Sequence, residues 1–366
     1  EEEEEDPLKP VSGEEGGTLE SFRASPMRGM NSRGTIIAGS SMDVFKKGIT
    51  RPDLAPTTKN NKSNDNNDEE RKESPNKEED EINKYMNETD EEKHKADKTA
   101  KLMVSHSLDR GGHLELTKTL TENYSNYHVV WRASRSLRDI IIKDDEAKSQ
   151  CLMKGLDEVL IASMKNNMFS SIAQSQCLRL IGALSYGNDH VRRRVGERGG
   201  ISLALDAMRS HVTDETLQLH ACTAITNLTH NSIDNRYRFV ESGGVEILVS
   251  IMNNFIKNMK LQRQACWAIL TLAANDDVCL SIVANGGGTA LVSAMMEHRF
   301  DAGVQQFGAW ALGNLAAASD DVRRRLKING ALEACRICME TYPDDLEVIR
   351  QARTAITAMG LRDEKK

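Results

Sequence analysis

The chain has 366 residues, of which 28% are charged and 4% aromatic, and its formal net charge at pH 7 is −7. It contains no run of about 18 apolar residues, which excludes a typical membrane-spanning helix. The residues after residue 100 have a net charge of only +2, which argues against the broad basic surface that nucleic acid requires. All seven cysteines lie beyond residue 150, and an odd number on helical apolar faces favours a reducing compartment, the cytoplasm or the nucleus.

The first 97 residues form an acidic segment that differs in composition from the remainder. Residues 1–100 contain 25 acidic and 16 basic residues, whereas the residues after them contain 30 acidic and 32 basic ones. Six of the seven prolines also lie among the first hundred residues. Polar runs such as NNKSNDNNDEERKESPNKEEDE bury too little apolar surface to offset the entropy lost on ordering. We therefore predict that residues 1–97 are disordered.

Two features of this acidic segment leave alternatives open. The chain starts with EEEEED rather than with methionine, so we expect it to be a fragment or a processed product. The less polar stretch from Arg33 to Leu54 is either a plain linker or a short motif that folds on binding a partner.

From residue 98 to residue 360 one helical pattern recurs every 43 or 44 residues. In one copy, Val304, Gly308, Ala311 and Leu315 are spaced 4, 3 and 4 residues apart, which places them on one face of an α-helix. The equivalent residues of the other copies are Val129, Ala133, Ser136 and Ile140; Ala173, Cys177, Leu180 and Leu184; Leu217, Ala221, Ala224 and Leu228; Leu261, Ala265, Ala268 and Leu272; and Val348, Ala352, Ala355 and Met359. The pattern predicts six all-α units.

Each unit also contains a glycine that is predicted to end a short helix in the left-handed conformation. These closing glycines are Gly112, Gly155, Gly200, Gly244, Gly287 and Gly330. In the last unit, Asp320 and Asp321 begin the short helix, where carboxylates interact favourably with the helix dipole.

The units resemble armadillo repeats. Each has a short first helix such as DDVRRRLKING, a glycine break, a second helix such as GVEILVSIMNNF and a long third helix such as LQRQACWAILTLAAN. The period fits armadillo and HEAT arrays, of about 40 to 47 residues, and the separate first helix favours armadillo over HEAT. The resemblance implies a right-handed α-solenoid of about six repeats over residues 98–360, followed by a charged end at 361–366. Its third helices would line a concave groove that binds extended peptides.

In importin-like members of that family, Trp and Asn residues four positions apart on each third helix hold the peptide. The corresponding pairs in this chain are Arg135 and Asp139, Arg179 and Ala183, Thr223 and Asn227, Trp267 and Thr271, Trp310 and Asn314, and Thr354 and Ala358. Only Trp310 and Asn314 form a complete pair, so a regular reader of basic import signals is disfavoured.

Arginines near these positions suggest a ligand of the opposite charge. Arginine binds carboxylate and phosphate oxygens through paired hydrogen bonds, so we predict an acidic or phosphorylated peptide. The predicted groove residues are Arg135, Arg179, Asn227, Arg263, Trp267, Trp310, Asn314 and Arg350. The acidic N-terminal segment is itself a candidate ligand. Alternatively, the arginines lie on solvated helix faces and the tryptophans pack between repeats; the basic runs Arg192–Arg194 and Arg323–Arg325 are interpreted as solvated.

No catalytic, cofactor or metal site is predicted. Cys335 and Cys338 form a CxxC, but a structural zinc site needs four ligands and no second pair lies nearby in the sequence. Two functions remain. The first is a non-catalytic scaffold that binds an extended segment of a protein partner. The second is a substrate-docking adaptor subunit of a ubiquitin ligase or a nuclear import complex.

Overall fold

The computed structural model describes residues 88–360, so most of the predicted disordered segment and the predicted end at 361–366 lie outside the described residues. Every regular element within residues 88–360 is an α-helix, which confirms the all-α class. In chain order the helices are α1 (Asp90–Glu122), α2 (Tyr127–Ile141), α3 (Asp145–Met153), α4 (Leu156–Asn166), α5 (Ser171–Ser185), α6 (Asp189–Glu197), α7 (Gly200–Ser210), α8 (Glu215–Thr229), α9 (Ile233–Glu241), α10 (Gly244–Asn254), α11 (Met259–Leu272), α12 (Asp276–Ala284), α13 (Gly287–Glu297), α14 (Ala302–Ala318), α15 (Asp320–Ile328), α16 (Ala331–Thr341) and α17 (Leu346–Ala358).

The helices form six consecutive repeats. Repeat 1 consists of α1 and α2, and each later repeat contains three helices, from α3–α5 in repeat 2 to α15–α17 in repeat 6. The last helix of each repeat, here called its third helix, packs along the third helix of the next repeat. The third helices are α2, α5, α8, α11, α14 and α17. This architecture is the predicted α-solenoid of six repeats.

The 4, 3, 4 pattern identifies the buried face of the third helices. All four pattern residues are buried in repeats 2 to 6, and small residues there permit close packing: a Cβ added at Gly308 would lie only 2.7 Å from the Met295 side chain. In repeat 1 the agreement is partial, because Ser136 and Ile140 are half-buried while Leu137 and Ile141 are buried instead.

The first helix begins earlier than the sequence analysis predicted. Helix α1 starts at Asp90, so the last eight residues of the predicted disordered segment are helical. The start is fixed by Thr89 and Glu92: the Thr89 hydroxyl accepts the Glu92 backbone N–H at 3.3 Å, and the Glu92 carboxylate accepts the Thr89 N–H at 2.9 Å. This reciprocal pair is a capping box, which stabilises a helix N-terminus. The first described helix therefore begins at residue 90, eight residues before the predicted start of the array.

Glycines separate the first and second helices, but in three repeats the prediction chose the wrong member of a Gly-Gly pair. The glycines with positive φ in those pairs are Gly199, Gly243 and Gly286. The predicted Gly200, Gly244 and Gly287 instead begin the next helix. The predictions at Gly155 and Gly330 are confirmed, with φ of 78° and 84°. Gly112, with φ of 58°, lies at a kink inside α1.

At the second position of each pair glycine is required because a side chain would overlap neighbouring atoms, and not because of the backbone angles. A Cβ on Gly244 would lie 2.5 Å from a ring carbon of the buried Phe239, and a Cβ on Gly287 would lie 2.4 Å from a methyl group of Ile282. A side chain at either position would therefore displace the first helix from the second.

Candidate functional site

The six Trp/Asn-type pairs form a row of residues on the third helices, here called the ladder face. Its residues are Arg135, Asp139, Arg179, Ala183, Thr223, Asn227, Trp267, Thr271, Trp310, Asn314, Thr354 and Ala358. All are exposed or half-buried except Thr271, which is buried. Since the 4, 3, 4 residues of the same helices face the core, the ladder face is their more solvent-accessible side.

Positive charge is concentrated on repeats 1 and 2 of this face. Arg135 is exposed, and Arg179 on the next third helix is half-buried. Arg138, one turn after Arg135, keeps 18% of its side chain exposed and pairs with Asp139 at 3.0 Å. We call Arg135, Arg138 and Arg179 the basic end. The sequence analysis missed Arg138, although it lies three residues from a predicted site residue.

His220 on α8 lies near two of these arginines, Arg138 and Arg179. Burial, followed by the charges of Arg179 and then Arg138, lowers the pKa of His220 to about 4, and Asp214 opposes this shift. The His220 Nδ1 atom lies 2.7 Å from the Ser175 hydroxyl oxygen of the neighbouring third helix. Groups from three successive third helices therefore share one electrostatic environment.

The low pKa of His220 predicts a specific loss of stability in acid. Because the folded-state pKa lies below the ordinary value of 6.5, the stabilisation is complete above pH 6.5 and is lost as the pH falls towards 4. Between pH 8 and pH 5 we expect His220 to lower the free energy of unfolding by about 2 kcal/mol.

His220→Gln, which keeps a polar partner for Ser175, should remove this part of the pH dependence. Urea unfolding of both proteins at the two pH values measures it. His128 and His230, whose pKa values are also lowered chiefly by burial, are present in both proteins and cancel in the comparison. Equal pH dependence of the two proteins would contradict the assignment.

Aromatic side chains occupy the ladder face of repeats 4 and 5. The rings of Trp267 and Phe307 are stacked, with centroids 5.2 Å apart and an interplanar angle of 17°. Both rings and that of Trp310 are half-buried and pack against the core. We call Trp267, Phe307 and Trp310 the aromatic centre. Trp267 thus packs against the next repeat through Phe307, and the rings of both tryptophans are half-buried and present part of their surface to solvent.

The two predicted asparagines differ in their hydrogen bonding. The Asn227 side-chain amide donates to the Gly182 carbonyl oxygen at 3.0 Å, so its N–H group links α8 to α5. Asn314 is half-buried, and among the described residues its side chain has no hydrogen-bond partner. Of the two amides, that of Asn314 is the better placed to bond a ligand's backbone.

The other two predicted arginines have partners within the array. Arg263 Nε donates to Asp301 Oδ1 at 3.1 Å, and a second guanidinium nitrogen pairs with the other carboxylate oxygen. Arg350 pairs with Glu347 at 2.5 Å on the same helix. The charges of Arg263 and Arg350 are thus partly offset by carboxylates of the array, as that of Arg138 is by Asp139.

Arg192 also has a different role from the solvated one predicted. Its side chain is buried, and its Nε donates to the Asn227 backbone carbonyl oxygen at 3.0 Å, while Asp189 offsets its charge. Arg194, two residues later, pairs with the buried Asp157 at 2.8 Å. Arg194 therefore joins repeat 3 to repeat 2, whereas Arg192 joins the first and third helices of repeat 3 and fixes the backbone of a ladder-face residue.

A row of buried glutamines orients the third helices of repeats 2 to 5, and the sequence analysis missed it. In each case the amide nitrogen donates to two carbonyl oxygens at the end of the second helix of the same repeat. The residues are Gln174, Gln218, Gln262 and Gln305. Such terminal carbonyls lack partners within their own helix. The signal was present in the sequence, since a glutamine follows the first pattern residue in each of these repeats.

Residues 88–360 were also compared with the features expected of metal sites, reactive cysteines and membrane-spanning helices. No group of three or more His, Cys, Asp or Glu residues within 88–360 could hold a metal ion. The seven cysteines are buried free thiols, and burial raises the pKa of Cys335 and Cys338 to about 12. No single helix of this range could cross a membrane by length and composition, although the bent pair α12 and α13 meets that criterion jointly.

Comparison with known proteins identifies the class of fold. Residues 232–274, which cover repeat 4, match the family model of the armadillo/beta-catenin-like repeat. An engineered protein of known structure is 24% identical, with a TM-score of 0.59 over 67% of this chain and 95% of its own. A designed armadillo repeat protein in complex with the peptide (KR)4 is 20% identical, with a TM-score of 0.57 over 67% of this chain and 99% of its own. No curated protein matches the chain.

The chain therefore has the armadillo fold. Residues 232–274 form one recognisable armadillo repeat, with α9, α10 and α11 as its three helices. The resemblance inferred from the repeat pattern is confirmed.

Proposed function

We propose that the array is a non-catalytic scaffold that binds an extended acidic segment of another protein along the ladder face. The observation that carries this proposal is the basic end, which places Arg135 and Arg138 on one third helix and Arg179 on the next, with Arg135 exposed and Arg179 half-buried. Carboxylate and phosphate oxygens are the groups that arginine binds best.

The spacing of the repeats sets the spacing of the ligand's acidic residues. Packed helices lie about 8 to 10 Å apart, and an extended chain advances about 3.3 Å per residue. One repeat therefore spans about three ligand residues, so acidic side chains three positions apart would meet Arg135 and Arg179 in turn.

The aromatic centre adds a second element to the proposed ligand. Half-exposed rings bind apolar side chains well, and the amide of Asn314 can bond the ligand's backbone. The ligand would therefore place acidic residues over repeats 1 and 2 and apolar residues over repeats 4 and 5.

The designed relative described above is in complex with a basic peptide, so the sign of the ligand's charge is the decisive test. Fluorescence anisotropy should compare two 12-residue labelled peptides, one with glutamate at every third position and the other with lysine at the same positions. We expect the glutamate peptide to bind at least about tenfold more tightly at low salt and to lose affinity as salt screens the charges.

A phosphoserine version of the peptide tests whether phosphate is preferred to carboxylate. Equal or tighter binding of the lysine peptide would reject the proposal. That result would instead favour the import-adaptor alternative, because import signals are basic.

A further inference from the structure

We propose that the acidic run Glu78–Glu81, which lies just before the described residues, binds the basic end when no partner is present. The run would then compete with the partner for the same arginines. This inference rests on the proposed function, because it assigns a regulator to the same face.

The N-terminal helix already presents acidic residues to α2. Asp97 on α1 pairs with Arg132 on α2, and its Oδ1 atom lies 3.6 Å from His128 Nδ1. Arg132 lies one turn before Arg135. Near the start of the described residues, the Tyr127 hydroxyl group donates to Glu88 Oε2 at 3.4 Å. The chain therefore enters the array beside the third helix that carries two of the three arginines of the basic end.

The acidic run is close enough in sequence to reach those arginines. Tyr127 and Arg138 are 11 residues apart on α2, which corresponds to about 17 Å along the helix. Glu81 and Glu88 are seven positions apart, and an extended chain of that length can span up to about 24 Å. Arg179 lies on the adjacent third helix, about 8 to 10 Å away. The run can therefore reach the arginines of the basic end without any movement of the array.

Charge complementarity favours this occupant over a neutral segment of the chain. Residues 65–81 contain nine acidic and three basic residues, and Glu78, Glu79, Asp80 and Glu81 are consecutive. The short connection also gives the run an effective concentration in the millimolar range. A segment with only weak intrinsic affinity would then occupy the basic end for most of the time.

The test compares two full-length variants that lose the same charge. The first is Glu78→Gln, Glu79→Gln, Asp80→Asn and Glu81→Gln. The matched control is Glu2→Gln, Glu3→Gln, Glu4→Gln and Glu5→Gln, which removes four charges from an acidic run far from the array in sequence. Anisotropy with the labelled glutamate peptide measures Kd for both variants and for the unmodified chain.

We expect the first variant to bind the peptide about tenfold more tightly than the unmodified chain at low salt, and the control to differ by less than about twofold. Equal tightening in both variants would overturn the inference, because net charge alone would then explain it. An unchanged Kd in the first variant would overturn it as well. If neither variant nor the unmodified chain binds the peptide, the proposed function fails and the inference fails with it.

Discussion

Reversing two charges of the basic end, by Arg135→Glu together with Arg179→Glu, is expected to weaken binding of the glutamate peptide by about 100-fold at low salt. Each reversal replaces an attraction with a repulsion. At the effective dielectric constant of a protein surface, the two reversals together should cost a few kcal/mol of binding free energy. Isothermal titration calorimetry or anisotropy with the full-length protein measures the loss.

The matched control for this variant is Arg324→Glu with Arg325→Glu. These two arginines lie on the first helix of repeat 6, where both pair with Asp321, and the substitutions change the net charge by the same amount. We expect the control to keep its affinity within about threefold. Thermal unfolding of both variants verifies that the array is folded. Similar losses in the two variants would show that the basic end is not the binding site.

Gly244→Ala is expected to destabilise repeat 4 more than Gly243→Ala, although only Gly243 has a positive φ. A left-handed conformation costs a residue with a side chain about 1 to 2 kcal/mol. At Gly244, however, the new Cβ would lie 2.5 Å from the Phe239 ring, and overpacking a core typically costs about 1 to 3 kcal/mol or more. Phe239 is fully buried, so its ring has little room to move.

Urea unfolding of the two single variants gives this order directly. Adding Phe239→Leu to Gly244→Ala provides the second measurement, because the smaller side chain removes the overlap at the cost of lost packing. The double variant should be more stable than the sum of the two single changes predicts. Additive effects, or a larger loss for Gly243→Ala, would contradict the proposed role of the second glycine.

The fold was predictable from the sequence because each repeat carries its own local signals. Residues such as Val304 and Leu315 recur at helical spacing, and burial of that face requires a neighbour of the same kind. Glycine at a helix end is a local signal too, which is why Gly155 and Gly330 were identified correctly. Where two glycines are adjacent, the sequence does not show which of them adopts the left-handed conformation. Nor does it show that the second glycine is needed because a side chain there would overlap Val195, Phe239 or Ile282.

The candidate site was predictable only in part. The sequence placed Arg135 and Arg179 on the accessible face of the third helices, as observed. It did not reveal that Arg263 is paired with Asp301, 38 residues away. Nor did it reveal that Arg192 is buried against a carbonyl oxygen 35 residues away, on the third helix of the same repeat. Neither pairing can be predicted from the spacing of residues along one helix.

The sequence by itself determined that this protein is a chain of six helical repeats, because the pattern that buries each helix is repeated within every unit. Only the tertiary structure decided which of the charged side chains are paired across repeats. A surface charge is offset by whichever opposite charge or carbonyl group the neighbouring repeat brings near it. That proximity depends on how successive helices are positioned against each other, which the period of the sequence does not specify.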